Sequence, residues 1–191
     1  GTWVQAADAV EAMAHVADAF FAHPSGAMAV VGVTGTNGKT TTTYLLESII
    51  LAAGGTPAVA GTIENRLGGR RLEKAVNTTP ISLSLTSLLA RWREGGATHA
   101  LLEVSSHALV LKRVEAVDFD ACLFLNLTHD HLDFHKTVEN YFEAKAKLFD
   151  LLARADNRKN PKVAALNFDD PRAHHLVRRA IGCDVVRFGL T

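Results

Sequence analysis

The sequence predicts an α/β protein: a doubly wound, mostly parallel sheet with a phosphate loop and a small β-hairpin. Apolar runs of strand length alternate with helix-length segments along most of the chain. One of them, in VVGVTGTNGKTTTT from Val30 to Thr43, leads through a glycine-rich turn into Lys39-Thr40 and then a helical pattern. Polar residues also collect just after the strand-like runs, where open α/β sheets bind ligands.

In chain order, Trp3 to Ala22 place Val4, Val10, Met13, Val16, Phe20 and Phe21 near helical spacing, which predicts one amphipathic helix ending before His23-Pro24. Val30, Val31 and Val33 read as the end of a buried strand, and Thr40 to Ala53 as a helix closed by Gly54-Gly55. Pro57 to Ala60 is a short strand. Ile63 to Leu67 and Arg70 to Val76 flank Gly68-Gly69 as a hairpin. After the polar loop Asn77-Thr78-Thr79-Pro80, Ser82 to Glu94 is a leucine-rich helix with a serine cap, closed by Gly95-Gly96. Thr98 to Val104 and Phe119 to Leu127 are buried strands, and Val138 to Leu152 is a helix with Tyr141, Phe142, Leu148, Phe149 and Leu152 on its apolar face. A polar turn at Asn157 to Asn160, a strand at Lys162 to Leu166, a helix at Arg172 to Ile181 and a strand at Asp184 to Phe188 complete the pattern.

The 191 residues are enough for one compact domain with a sizeable core. Twenty basic residues balance twenty acidic ones, so no basic field points to nucleic acid. Cys122 and Cys183 each sit in an apolar run, as buried free thiols of a reducing compartment do. No run reaches membrane-span length and no signal peptide is evident, so a cytoplasmic location is expected.

The turn after Val33 has the chemistry of a phosphate cradle. Small residues let successive N–H groups converge on an anion, and the following helix points its positive end at the same place. Lys39 is expected at the β- and γ-phosphates and the Thr40 hydroxyl on Mg²⁺. The loop is a variant: Val33 stands where the usual pattern has glycine, and Gly32, Gly35 and Gly38 recur at three-residue spacing. Glu103 ends a strand where nucleotide-hydrolysing folds keep a metal carboxylate. The burst Thr128-His129-Asp130-His131-Leu132-Asp133-Phe134-His135 has metal-site character, yet Mg²⁺ takes few protein ligands, so one or two of its five ionisable side chains are expected to act. Zinc is the competing idea, disfavoured by the absence of cysteine there. Lys145 and Lys147 lie among the apolar residues of Val138 to Leu152 and read as solvated lysines on an ordinary amphipathic helix, since residue chemistry alone promotes neither.

Together, VTGTNGKTTT, NTTP, LLEVSSHAL, NLTHDHLDFH and YFEAKAKLF resemble, in order and spacing, the central domain of the Mur ligases. Within that family they are most similar to the type that adds the third amino acid, diaminopimelate or lysine, to UDP-N-acetylmuramoyl-L-alanyl-D-glutamate. The resemblance covers the chain from about Phe20 onward. It implies ATP-dependent amide formation through an acyl phosphate in peptidoglycan synthesis, with ATP bound by Thr34, Gly35, Thr36, Asn37, Gly38, Lys39, Thr40 and Thr41. It also implies two magnesium ions, one on Thr40 and Glu103 and the other on Glu103 and His131, with Lys145 carbamylated beside them. Asn77, Thr78, Thr79, Ser105 and Arg113 match substrate-contacting positions, and Asn167 and Asp170 match an adenine-side loop. Leu111 departs from the family, which often has glutamine there.

The resemblance further implies that residues 1–24 are a connecting helix and residues 25–191 the ATP-binding domain, with the uridine-binding and amino-acid-binding domains outside this sequence. No Asp-Asn-Pro-Arg stretch occurs in it. The expected partners are ATP, the muramoyl dipeptide and an amino acid, without nucleic acid or membrane. A folylpolyglutamate synthase, another Mur ligase, or a non-catalytic nucleotide-binding module are the alternative readings.

Overall fold

The structure, a computed structural model, describes residues 5–190. Eight strands form one sheet: β1 (Ala29–Thr34), β2 (Pro57–Ala60), β3 (Glu64–Leu67), β4 (Arg70–Lys74), β5 (His99–Glu103), β6 (Ala121–Phe124), β7 (Val163–Asn167) and β8 (Asp184–Phe188). Their spatial order is β4-β3-β2-β5-β1-β6-β7-β8. The six strands from β2 to β8 in that order run parallel, and β3 and β4 add the antiparallel hairpin at one edge. The helices are α1 (Ala9–Phe20), α2 (Lys39–Ala52), α3 (Ser82–Glu94), α4 (Ser106–Val110), α5 (Leu132–His135), α6 (Val138–Ala153) and α7 (Ala173–Val177).

Register sets the position of the chemistry. Val33 lies level with Glu103 on β5 and with Leu123 on β6, so three central strands finish at one height. Beneath them Val30, Val33, Leu101, Leu102, Phe119, Phe124, Leu148 and Phe149 are almost wholly buried. Burial of such side chains contributes roughly 1.5–3 kcal/mol each and holds the strand ends in a fixed relation.

Several expectations change. The first helix starts at Ala9 rather than Trp3, because the Asp8 carboxylate caps it by accepting from the Val10 and Glu11 amides. Trp3 and Val4 lie outside the described residues. Val10, Met13, Val16 and Phe20 are exposed, and α1 packs on α3, with small Ala14 and Ala17 buried. The α3 helix lacks its serine cap: Ile81 is the cap residue and makes no side-chain bond, while Ser82 is already helical and buried. The expected helix over 172–181 keeps only Ala173–Val177, and α4 and α5 were not legible at all. Asn157, in the expected polar turn, is buried and donates to the Phe119 and Leu152 carbonyls. Both cysteines are free, but only Cys122 is fully buried. Among the described residues no helix is long and apolar enough to cross a membrane.

Candidate functional site

The loop between β1 and α2 is strapped from below. The Thr34 hydroxyl donates to the Val104 carbonyl (2.9 Å). Asn126, just past β6, accepts the Asn37 amide on its side-chain oxygen (3.0 Å) and donates back to the Asn37 carbonyl (3.2 Å). Gly38 caps α2 at φ 86°, a left-handed conformation that favours glycine, and puts no side chain over the helix's first amides. Val33 replaces the usual glycine because it is the last fully buried apolar residue of β1.

Two ammonium groups meet at this loop. Lys39 donates to the Gly35 (2.8 Å) and Thr36 (3.0 Å) carbonyls, and Lys145 donates to the same Gly35 carbonyl (3.0 Å). Lys145 is 1 % exposed, which corrects its reading as a solvated lysine; Lys147 is the exposed one. Burial, reinforced by the nearby Lys39 charge, pushes the Lys145 amine down to about 7. Its nitrogen lies 4.5 Å above the Tyr141 ring, whose hydroxyl is 3.2 Å from the Thr36 hydroxyl. Burial also lowers Lys39, opposed by the charges of Glu103 and Asp130, so both carboxylates act on that amine.

Glu103 is 1 % exposed and forms no ion pair among the described residues. Its carboxylate accepts the Thr62 amide (3.1 Å) and hydroxyl (2.9 Å). Gly61 makes this approach feasible, since a β-carbon there would sit 2.2 Å from the Glu103 Oε1. A buried carboxylate without a partner cation is costly, and a bound divalent ion removes that cost. The Thr40 hydroxyl, which has no hydrogen-bond partner among the described residues, fits the same role.

The substrate-side candidates form a connected group beside Glu103. The Thr79 hydroxyl donates to the Glu103 carbonyl (2.8 Å) and accepts the Ser105 amide (3.1 Å), and Arg113 donates to the Thr79 carbonyl (2.9 Å). Thr79 is 1 % exposed and braces the loop, leaving Asn77 and the half-buried Thr78 nearer its surface. Asn77 lines a groove of about 360 Å³ between the hairpin and α3, with Asn65, Lys74, Pro80 and Arg91 among its walls. Leu111, at the end of α4, is largely exposed.

The histidine-rich segment after β6 does not close into a cage: among the described residues no three His, Cys, Asp or Glu side chains gather as metal ligands. His129 and Asp133 are exposed, while His135 turns inward to the Ser106 hydroxyl (2.9 Å). His131 remains at the surface with its Nε2 3.5 Å from Asp130. The His107, His131 and His135 rings cluster with Phe134 and Tyr141. Burial holds His107 and His135 below the usual imidazole range. Asn167 and Asp170 are committed to backbone: Asn167 donates to the Leu125 carbonyl (2.8 Å), and Asp170 accepts the Leu127 (2.8 Å) and Arg172 (3.0 Å) amides.

Sequence reasoning missed Gly61, Thr62, Asn126, Tyr141 and His107. Asn126 stood in a strand-end motif where polarity alone could have marked it. Tyr141 was assigned only to an apolar face, and Gly61-Thr62 carries no pattern tying it to Glu103 forty residues on.

A strand, glycine turn and helix at the centre of a parallel sheet, with a lysine pair and a buried carboxylate at the strand ends, define the class of phosphate-loop α/β domains. The family model described as the Mur ligase middle domain matches residues 33–191, and the chain belongs to that family. It is 45% identical over 190 residues to the UDP-N-acetylmuramoyl-L-alanyl-D-glutamate--2,6-diaminopimelate ligase of Geobacter metallireducens, covering 100% of this chain and 37% of that protein. Against the enzyme of the same name from Solibacter usitatus the identity is 47% over 174 residues, covering 91% of this chain and 34% of the relative. A solved structure of a ligase with that name superposes with a TM-score of 0.81 at 31% identity, over 99% of this chain and 38% of the other. The chain thus spans little more than a third of the length of the curated relatives it matches.

Proposed function

We propose that this chain is the ATP-binding part of a ligase that adds an amino acid to UDP-N-acetylmuramoyl-L-alanyl-D-glutamate, with 2,6-diaminopimelate, the amino acid in its relatives' names, as the incoming residue. The observation that carries this reading is the pairing of buried Lys145 with Lys39 on one phosphate-loop carbonyl, beside an unpaired buried Glu103. A loop that only bound nucleotide would require neither a second buried amine nor a buried carboxylate without an ion pair. The domain division follows the same reading: residues 1–24 connect and residues 25–191 carry the ATP side.

In the proposed reaction the substrate carboxylate attacks the γ-phosphorus of ATP, releasing ADP and leaving an acyl phosphate. The amine of the incoming amino acid then attacks the acyl carbon, phosphate departs and an amide forms. Thr34, Gly35, Thr36, Asn37, Gly38 and Thr41 line the phosphate cradle, and Lys39 exchanges its loop carbonyls for the transferring phosphoryl group. Asn77, Thr78, Ser105 and Arg113 orient the muramoyl peptide, with Thr79 bracing them, and Asn167 and Asp170 shape the adenine side. Thr40 and Glu103 would hold one magnesium ion, and Glu103, His131 and carbamylated Lys145 a second, supplying charge stabilisation at the phosphates.

Lys145 fits the modification chemically. Because burial lowers its pKa to about 7, the amine is available in its neutral form near neutral pH and can attack the carbon of CO₂, losing a proton to give a carbamate. The test replaces Lys145 by alanine in the full-length protein and measures ligation with and without short carboxylic acids. We expect a loss of at least 100-fold, partly restored by a small carboxylate that occupies the vacated space. Unchanged activity in the variant would remove the carbamate from the mechanism.

A further inference from the structure

The His131 imidazole has little to hold it. Its backbone is left-handed at φ 51°, its side chain is about half exposed, and its nearest polar partner, Asp130, stands 3.5 Å away. Two rings stand nearly perpendicular to it instead: His107 at 5.1 Å and 88°, and Tyr141 at 6.0 Å and 79°. Tyr141 is anchored independently by burial and by the Thr36 hydroxyl. His107 is wedged by Phe134 at 4.2 Å and by His135 at 5.4 Å, and His135 is pinned to Ser106 next to it on α4.

The His107 carbonyl accepts the Leu111 amide (2.8 Å), but its imidazole makes no hydrogen bond among the described residues and meets its neighbours through ring contacts. It stands four residues past Glu103 on α4, whereas His131 follows β6, which lies on the other side of β1 from β5. The ring contact therefore joins the segments that carry Glu103 and His131. We propose that His107 is a positioning residue whose perpendicular ring contact sets the orientation of the His131 imidazole. The inference deepens the function proposed above and rests on it for the role of His131. Perpendicular aromatic pairs of this kind bias an orientation roughly 3- to 10-fold.

The test compares His107→Ala and His107→Phe in the full-length protein, with His131→Gln to assign the His131 ring resonance. Without metal or nucleotide, His107→Ala is expected to move the His131 Hε1 signal toward that of a freely exposed ring. The magnesium concentration for half-maximal ligation should rise roughly 3- to 10-fold, with KM for the muramoyl dipeptide unchanged. His107→Phe keeps an aromatic ring at this position and should restore both readouts. An unmoved His131 signal in His107→Ala would overturn the proposal. So would failure of His107→Phe to rescue where His107→Gln does, because that result would assign a polar role to the imidazole. If His107→Ala does not fold, His107→Leu, with bulk but no ring, takes its place. A wild-type protein without ligation would overturn the function proposed above, while the resonance comparison would still decide this inference.

Discussion

Lys145 shows how much one residue can carry. It lies on the stripe formed by Tyr141, Leu148 and Leu152, at helical offsets of four, three and seven, so its burial was legible in the spacing. Residue chemistry concealed it, because lysine is almost never fully buried. The sign of its effect on stability is fixed by the lowered pKa. In the unfolded chain the amine titrates near 10.5 and in the folded protein near 7, so between those values the unfolded state holds more protons and stability rises with pH. Below pH 7 the full cost is present, a few kcal/mol at about 1.36 kcal/mol per unit. Lys145→Met is therefore expected to raise the urea midpoint, most at pH 6 and progressively less toward pH 10, while abolishing ligation. An equal gain at every pH would contradict this account.

Among the elements, the strand ends and the turn that follows them were readable because glycine, lysine and buried strands have strong local signatures. The helices α4 and α5, five and four residues long, have too few residues for any periodicity and exist because of what they pack against. The serine cap of α3 failed for a related reason: a cap residue must be extended, and Pro80-Ile81 moves that position one residue earlier. The Gly61-Thr62 turn yields a direct test. Gly61→Ala places a methyl group on Glu103 and should weaken magnesium-dependent binding of an ATP analogue about tenfold, as expected for loss of one charge-assisted contact. Gly26→Ala, where nothing lies within 4 Å of the new carbon, should bind normally by calorimetry. Gly38→Ala must hold a left-handed backbone and should cost about 1 kcal/mol in chemical denaturation, besides weakening nucleotide binding.

Across the whole molecule, chemistry and cohesion occupy opposite ends of the sheet. The candidate residues follow the carboxyl ends of the strands. Before β6, buried Asp118 accepts from Arg158 (2.6 Å) and lies 3.8 Å from Arg154, and Arg158 reaches on to Asp18 of α1 (3.5 Å). Asp18 also meets His23 (2.6 Å). Asp118→Ala should cost about 1.5–3 kcal/mol, since it removes the buried carboxylate to which Arg158 donates, and should lower the urea midpoint without changing nucleotide affinity. Strand existence and direction were legible from the alternation of runs, but lateral order was not. Nothing local to Pro57–Ala60 or His99–Glu103 states that β5 lies between β1 and β2; packing of the complete chain decides it.

The Gly35 carbonyl, on which Lys39 and Lys145 both lean, couples their fates. A rotation of that single peptide unit would free Lys145 and leave Lys39 on the Thr36 carbonyl alone, so arrival of a polyphosphate should draw on both amines in one exchange. Stopped-flow mixing with a fluorescent triphosphate should then give a single exponential whose rate changes when either amine is removed.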